Sequence, residues 1–307
     1  MRKIASLAAV AVLSLAACSG GAENAASPAD GGDKAAASGT DRTHDVSGVQ
    51  KVDEIAALVP EEVAKDGKLT IGASIDYAPA EFRAEDLQTA IGYEVDFGKA
   101  IGKVLGLEAE VVHGEFAGLL PGIGSKYDVG ISAFTITDER VASYNMIAIS
   151  EVGSSFAVKK GNPTEFSPEE LCGTSIAVQN GTWQHEDLDA KNKECTDGGK
   201  EAINVLVYGA HSEATTNVVG GKADAFYADS TVSDYAVELT NDQLEVVGDV
   251  FDSAPQGIVV PQDDAQLTEA MQKAAQHLMD DGTYKAIMES WGTEGAMLTT
   301  AELHTSK

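Results

Sequence analysis

Positive charge is what this chain has least of. It carries 21 Lys and Arg against 49 Asp and Glu, a formal net charge of −28. Nucleic acid and anionic lipid both call for basic patches, so the balance argues against either as a partner. Long apolar runs are missing as well. Beyond Ala17 none reaches the roughly 20 residues that a bilayer-spanning helix needs. The 6 His residues are scattered, without the pairwise spacing of a zinc site. Neither a Gly-x-Ser-x-Gly nucleophile turn nor a phosphate loop occurs. Gly122-Ile123-Gly124 opens a dinucleotide-like pattern, but Tyr127 stands where the third Gly belongs. No cofactor and no metal are expected, and an enzyme is disfavoured. Against these absences stand 307 residues, 43% of them apolar, enough for one large or two smaller domains with real cores.

The N-terminus is the most telling stretch. Arg2 and Lys3 precede an apolar run from Ile4 to Ala17, the order of an export signal. Leu15-Ala16-Ala17-Cys18 resembles the lipobox of bacterial lipoproteins. That resemblance implies a signal peptide over residues 1–18 and a lipid-bearing Cys18. An ordinary export signal with a Cys near its cleavage site is the alternative. Residues 19–50 are largely Ala, Gly, Ser and Asp and read as a flexible tether, because such a segment buries too little apolar surface to order itself. With Cys18 lipidated, Cys172 and Cys195 remain as an even pair in an oxidising compartment, where a disulfide closing 23 residue steps is expected. Two separately buried thiols are the other reading.

Downstream, strand and helix patterns alternate. After a short helix over Val52–Val63, broken at Pro60, strands are predicted over Leu69–Ser74, Glu108–His113 and Asp128–Phe134, with helices over Gly92–Leu105 and Phe116–Ile123. A second set follows: strands Thr174–Val178, Ile203–Val207 and Ala223–Tyr227, and helices from Thr182, over Ser212–Val219 and over Ser230–Leu239. Gly257–Val260 is a strand, followed by helices Ala265–Met279 and Tyr284–Trp291. This alternation implies an α/β protein with mainly parallel sheets. Two such sets, joined by a β-rich connection near Ser154, suggest two lobes, with ligands in the crevice at the strand ends.

Arg140 lies one turn inside a helix that Thr137 can cap, just past a strand end. A guanidinium there offers paired donors to a carboxylate. Read alone, such an Arg is commonly a surface charge, and Asp229, just ahead of a helix, is commonly a plain N-cap. Other segments change the weighing. Ser74-Ile75-Asp76-Tyr77-Ala78-Pro79, Gly92-Tyr93-Glu94-Val95-Asp96, Phe116-Ala117-Gly118-Leu119-Leu120-Pro121, Tyr127-Asp128-Val129 and the run Thr135 to Arg140 fall in series. So do Val178 to Gln184, Ala223 to Ser230 and Asp281 to Gly292. In order and spacing they resemble the polar amino-acid class of substrate-binding proteins that serve bacterial ABC importers, over roughly residues 55–292.

The resemblance implies a type II periplasmic-binding-protein-like fold: lobe 1 from 51–153 and 255–298, lobe 2 from 154–254, two hinge crossovers, a ligand cleft between the lobes, and a tail over 299–307. Arg140 would clamp a ligand carboxylate, with the Thr135 hydroxyl and the backbone N–H groups of Thr135 and of Thr182 or Trp183. Asp229 and the Ala133 carbonyl would take the ammonium, and Tyr77 and Phe116 would wall the ligand. Three positions depart from the family. Ala80 replaces a common aromatic, implying a roomier pocket end. Trp183 replaces a smaller residue and either lines the cleft or is exposed. Ser74 stands where binders of cationic amino acids often carry an acid, a lack for which Asp76 or Glu115 could compensate. Asp76, Glu81 and Glu115 favour a polar ligand.

The function so implied is extracytoplasmic capture of a free amino acid, by a monomer, and its delivery to ABC permease subunits. The protein would be held at the membrane through its lipid anchor only. The Ala- and Gly-rich acidic composition looks actinobacterial, placing the anchor on the outer face of the cell membrane; a periplasmic location is the alternative. An amino-acid sensor without transport, or a dehydratase-like enzyme on the same scaffold, are the rival functions.

Overall fold

The computed structural model describes residues 42–306. Cys18, the signal segment and the tether up to residue 41 lie outside them. Two short helices, α1 (Asp53–Ala56) and α2 (Glu61–Ala64), flank Pro60. Then come β1 (Lys68–Ala73), β2 (Asp76–Tyr77), β3 (Glu81–Arg83), β4 (Ala90–Ile91), α3 (Tyr93–Leu105), β5 (Glu108–His113), α4 (Phe116–Leu119), β6 (Val129–Thr135) and α5 (Asp138–Val141). The long strand β7 (Tyr144–Lys159) leads into β8 (Ser175–Gln179), α6 (Trp183–Asp197), β9 (Asn204–Tyr208), α7 (His211–Val219), β10 (Ala225–Asp229) and α8 (Ser230–Leu239). A second long strand, β11 (Leu244–Pro261), returns to α9 (Ala265–Asp280), α10 (Thr283–Trp291) and β12 (Leu303–His304).

The main sheet runs β5-β1-β6-β11-β7-β10-β8-β9, with β12 added beside β7. Pairs β1–β5, β1–β6, β8–β9 and β8–β10 are parallel, as βαβ crossovers require. β7 and β11 are antiparallel to each other and divide the sheet. Tyr144–Val152 pairs with Ala254–Pro261 on the lobe 1 side, and Ser154–Lys159 with Leu244–Phe251 on the lobe 2 side. Register shifts between Val247, Phe251 and Ala254 fall where the strands pass from one lobe to the other. Bulges of this kind bend a strand locally.

Apolar patterning accounts for the layers. β6 is buried along its whole length, as befits a central strand covered on both faces. α3 buries Phe97, Ile101, Val104 and Leu105 and ends at Gly106 in the left-handed region (φ 71°). Trp291 of α10, α9 and α3 close the lobe 1 core, and Phe156, Tyr227, Leu188 and Ile176 centre a second cluster in lobe 2.

Two features differ from the sequence reading, and the tail adds a third that the sequence left open. β2, β3 and β4 form a separate three-stranded sheet beside the cleft, made of strands too short for period-two patterning to reveal. Residues 42–50, read from composition as the end of the tether, are instead docked. The Arg42 guanidinium pairs with Glu238 and sits 5.3 Å from the Tyr235 ring centre, the His44 N–H donates to Asp96 at 2.9 Å, and Val46 is buried. The tail is also fixed: Leu303 and His304 pair with Ile147 and Met146, and the Ala301 N–H donates to Gln276.

Cys172 and Cys195 form the expected disulfide, with Cα atoms 5.6 Å apart. It ties the start of the lobe 2 β8–α6 unit to the last turn of α6. Replacing both with Ala should cost roughly 3 kcal/mol on the chain-entropy view. Chemical denaturation of the variant measures it; an unchanged midpoint would show that the loop contributes no constraint.

Candidate functional site

Ten residues enclose a small, nearly closed cavity at the seam between the lobes: Tyr77, Phe116, Ala133, Thr135 and Arg140 from lobe 1, and Gln179, Thr182, Trp183, Gln184 and Asp229 from lobe 2. The cationic pole is built first by local structure. Thr137 caps α5, its hydroxyl accepting the Arg140 N–H at 3.3 Å, so the Arg140 side chain points back along β6. Its Nη1 donates to the Thr135 carbonyl at 2.8 Å, and its Nη2 reaches across the seam to the Gly181 carbonyl at 3.3 Å. The guanidinium lies 5.9 Å from the centre of the Phe116 ring, which itself stacks on Phe134 at 5.1 Å. Arg140 is buried, and burial lowers its pKa, with Glu186 and Asp229 opposing that shift. A surface role for this Arg is therefore excluded.

The anionic pole comes from the end of β10. Asp229 holds the N-cap position of α8, yet its carboxylate makes no capping hydrogen bond. Instead Oδ1 accepts from Gln184 Nε2 at 2.7 Å and Oδ2 from Gln256 Nε2 at 2.8 Å, while its own N–H donates to the Tyr77 hydroxyl at 3.2 Å. Burial raises its pKa, opposed by the Gln256 and Gln184 amides, Tyr77 and Arg140. Thr182 caps α6 by accepting the His185 N–H at 3.2 Å and donates to the Gln179 carbonyl at 2.9 Å. The opening of α6, a fifteen-residue helix, thus faces the same cavity as Arg140. Trp183 lines the cavity and lies 6.5 Å from Tyr227, edge to face.

Eight of the nine residues singled out by sequence thus meet in one place; Asp76 does not line the cavity. It lies at the seam beside it, where Oδ1 accepts from the Ser74 hydroxyl at 2.9 Å and from Gln179 Nε2 at 3.4 Å. Its pKa is raised by burial, offset by Ser74, Gln179 and the His211 N–H. Glu115 is exposed, and Ala80 is fully buried away from the cavity, so no roomier pocket end arises there. Glu81 is buried behind the site rather than in it. Gln179, Gln184 and Gln256 had not been singled out. A Gln near a strand end or helix start has no spacing of its own to mark it, and only the Asp229 contacts reveal Gln184 and Gln256.

The sequence profile of the bacterial extracellular solute-binding proteins, family 3, matches residues 69–294. The chain belongs to that family. The arginine-binding protein ArgT of Corynebacterium glutamicum is 38% identical over 252 residues, 81% of this chain and 82% of the relative. Among solved structures, an ancestral arginine-binding protein bound to arginine shares 32% identity at a TM-score of 0.67, over 73% of this chain and 98% of that one. An ancestral amino-acid-binding protein, AncCDT-1, a precursor of cyclohexadienyl dehydratase, shares 30% identity at the same TM-score of 0.67, over 76% and 99%. All three are described as binding proteins.

In this family 3 protein the seam is tight at Gly181. Its φ is +78°, and a Cβ there would lie 2.9 Å from the Ala117 Cβ of the opposite lobe. Gly181→Ala should hold the lobes apart, on top of a left-handed backbone cost of roughly 1–2 kcal/mol. Small-angle scattering is expected to give a larger radius of gyration; an unchanged radius would show that the lobes tolerate the methyl.

Proposed function

We propose that this solute-binding protein captures a free amino acid between its lobes outside the cytoplasm and delivers it to the permease of an ABC importer. The observation that carries this reading is the pairing of opposite poles in one cavity. A guanidinium that keeps its charge comes from lobe 1 and a carboxylate from lobe 2, with aromatic faces beside them. An α-amino acid presents the complementary pair, carboxylate to Arg140 with the α6 N-terminus, and ammonium to Asp229 with the Ala133 carbonyl. Contacts made to both lobes exist only when the lobes are closed, so ligand and closure favour each other. Attachment through a lipidated Cys18 and a monomeric state belong to the same reading.

Arginine is the first ligand to test, since a 38% identical relative and a solved neighbour are both named for it. The partly buried Asp76 carboxylate beside the cavity suits a cationic side chain, standing in for the acid that Ser74 lacks. The net charge of −28 also draws cations towards the surface. Gln179 bridges Asp76, Ser74 and the Gly209 carbonyl at 3.3–3.4 Å and must swing aside for a long side chain.

In a thermal-shift screen of the free amino acids, the true ligand at about 100 times its Kd should stabilise the protein by roughly 2.7 kcal/mol. Arg140→Ala should keep the fold and lose roughly 2–5 kcal/mol of binding, because the ligand carboxylate is left buried and unpaired. A screen in which no amino acid moves the melting curve, or undiminished affinity in the variant by calorimetry, would sink the reading.

A further inference from the structure

Behind the cavity wall lie two acids that the binding contacts leave unused. Glu81 on β3 and Glu94 in the first turn of α3 are both fully buried. Their placement follows from Gly92, whose φ of +135° and close approach to Ala80 leave no room for a Cβ: one would lie 2.1 Å from the Ala80 carbonyl oxygen. The chain there turns so that the Glu94 N–H donates to that carbonyl at 3.0 Å, bringing α3 against β3.

One oxygen of each carboxyl is accounted for. Glu81 Oε1 accepts the Ser132 hydroxyl at 2.6 Å, and Ser132 Oγ in turn accepts the Ser74 N–H at 3.0 Å. Glu94 Oε2 accepts the Ala133 N–H at 2.7 Å. The other two oxygens, Glu81 Oε2 and Glu94 Oε1, are buried without a donor among the described residues, although the two side chains are within hydrogen-bonding reach of each other. Two facing carboxylates cannot satisfy one another. A carboxylic acid and a carboxylate can.

We propose that Glu81 and Glu94 share a single proton and act as a positioning pair, in which the Glu94 carboxylate holds the Ala133 amide so that its carbonyl faces the ligand ammonium, and the charge retained by the pair adds to that of Asp229. This rests on the amino-acid reading above. Ala133 has φ +46°, an uncommon conformation for a residue with a side chain, and the Glu94 contact holds the amide that precedes its carbonyl. The groups bearing on the pair are Asp76 and Tyr77 from β2, Tyr93 from α3, Asp229 from β10 and Tyr284 from α10, all of them acids or phenols.

Burial pushes both carboxyls up, Glu94 to about 7 and Glu81 well above the usual carboxylate range, so the pair as a unit gives up one of its two protons near neutrality and holds the other. The sign follows from charge. An ammonium beside Ala133 and Asp229 favours the one-proton, negative form of the pair and lowers the pKa of that step. Ligand binding below about pH 7 therefore releases a proton from the pair to solvent, and by reciprocity affinity rises as pH increases through that range.

Calorimetry of the full chain with arginine, or with whichever amino acid the screen identifies, in buffers of different ionisation enthalpy at pH 6.5, counts that proton. Wild-type protein should release more protons than Glu81→Gln/Glu94→Gln, which keeps the shape of the pair and removes its charge. The variant should bind about tenfold more weakly, the effect of one pK unit of charge interaction. Asp229 is common to both proteins, so the difference in proton count belongs to the pair. Equal counts, or equal affinities, in two proteins that both bind would overturn the proposal and leave the amino-acid reading standing. If the variant does not fold, an affinity of the wild-type protein that stays flat or falls between pH 6 and 8 overturns it. Failure of every amino acid to bind wild-type protein would overturn both.

Discussion

A buried guanidinium cannot shed its charge, and that constraint organises the seam between the lobes. Arg140 has lost most of its water and stays cationic, so its donors need oxygen partners. It finds two in backbone carbonyls, one from its own lobe at Thr135 and one from the other at Gly181. Carbonyl dipoles leave the net charge unmatched. Glu186 and Asp229 bear on it electrostatically, and Asp229 is itself buried and supported by two glutamine amides. A dipolar guest with its poles reversed satisfies both charges at once, which is why the site is read as one for a zwitterion rather than for an anion or cation alone.

The supporting shell follows the same logic at one remove. Gln184 lies in the first turn of α6, and Gln256 lies on β11 close to the crossover between the lobes. Through these two amides the Asp229 carboxylate is tied both to the helix that opens onto the cavity and to one of the strands shared by the two halves. Tyr77 adds a tie from the other side, accepting the Asp229 N–H from lobe 1. His211, buried edge-on against Tyr77 at 5.3 Å and Phe226 at 4.9 Å, has no hydrogen-bond partner on either ring nitrogen among the described residues. Burial holds its pKa down at about 4, so near neutral pH it is a neutral packing element and brings no competing charge to the seam.

Much of the scaffold was legible because strands of five to seven residues and helices of nine or more leave a period in the sequence. β5 and α8 fall on their predicted bounds, and α3, α7 and α9 within a residue. The strands of β2 to β4 are two or three residues long and leave no period to read. Composition also misled at residues 42–50. A stretch poor in apolar side chains can still dock when one Arg, one backbone N–H and one Val each find a partner. At the site, Arg140 and Asp229 each had an ordinary reading as a surface charge or a cap, and only the family pattern set that aside. Glu81 was read only as a sign of a polar ligand and Glu94 only as part of a family segment; their pairing carried no signal, since two acids thirteen positions apart become neighbours only when β3 meets α3.

The passage of β7 and β11 from one half of the sheet to the other has a mechanical consequence. Two strands lying side by side behave as a pair of pins on one door: they resist sliding and permit a swing about a single line. With that connection fixed, the halves meet with Gly181 against Ala117 and Tyr77 against Asp229. Selectivity can therefore be carried by a few side chains at the jamb, while the outer faces of both panels are left to vary.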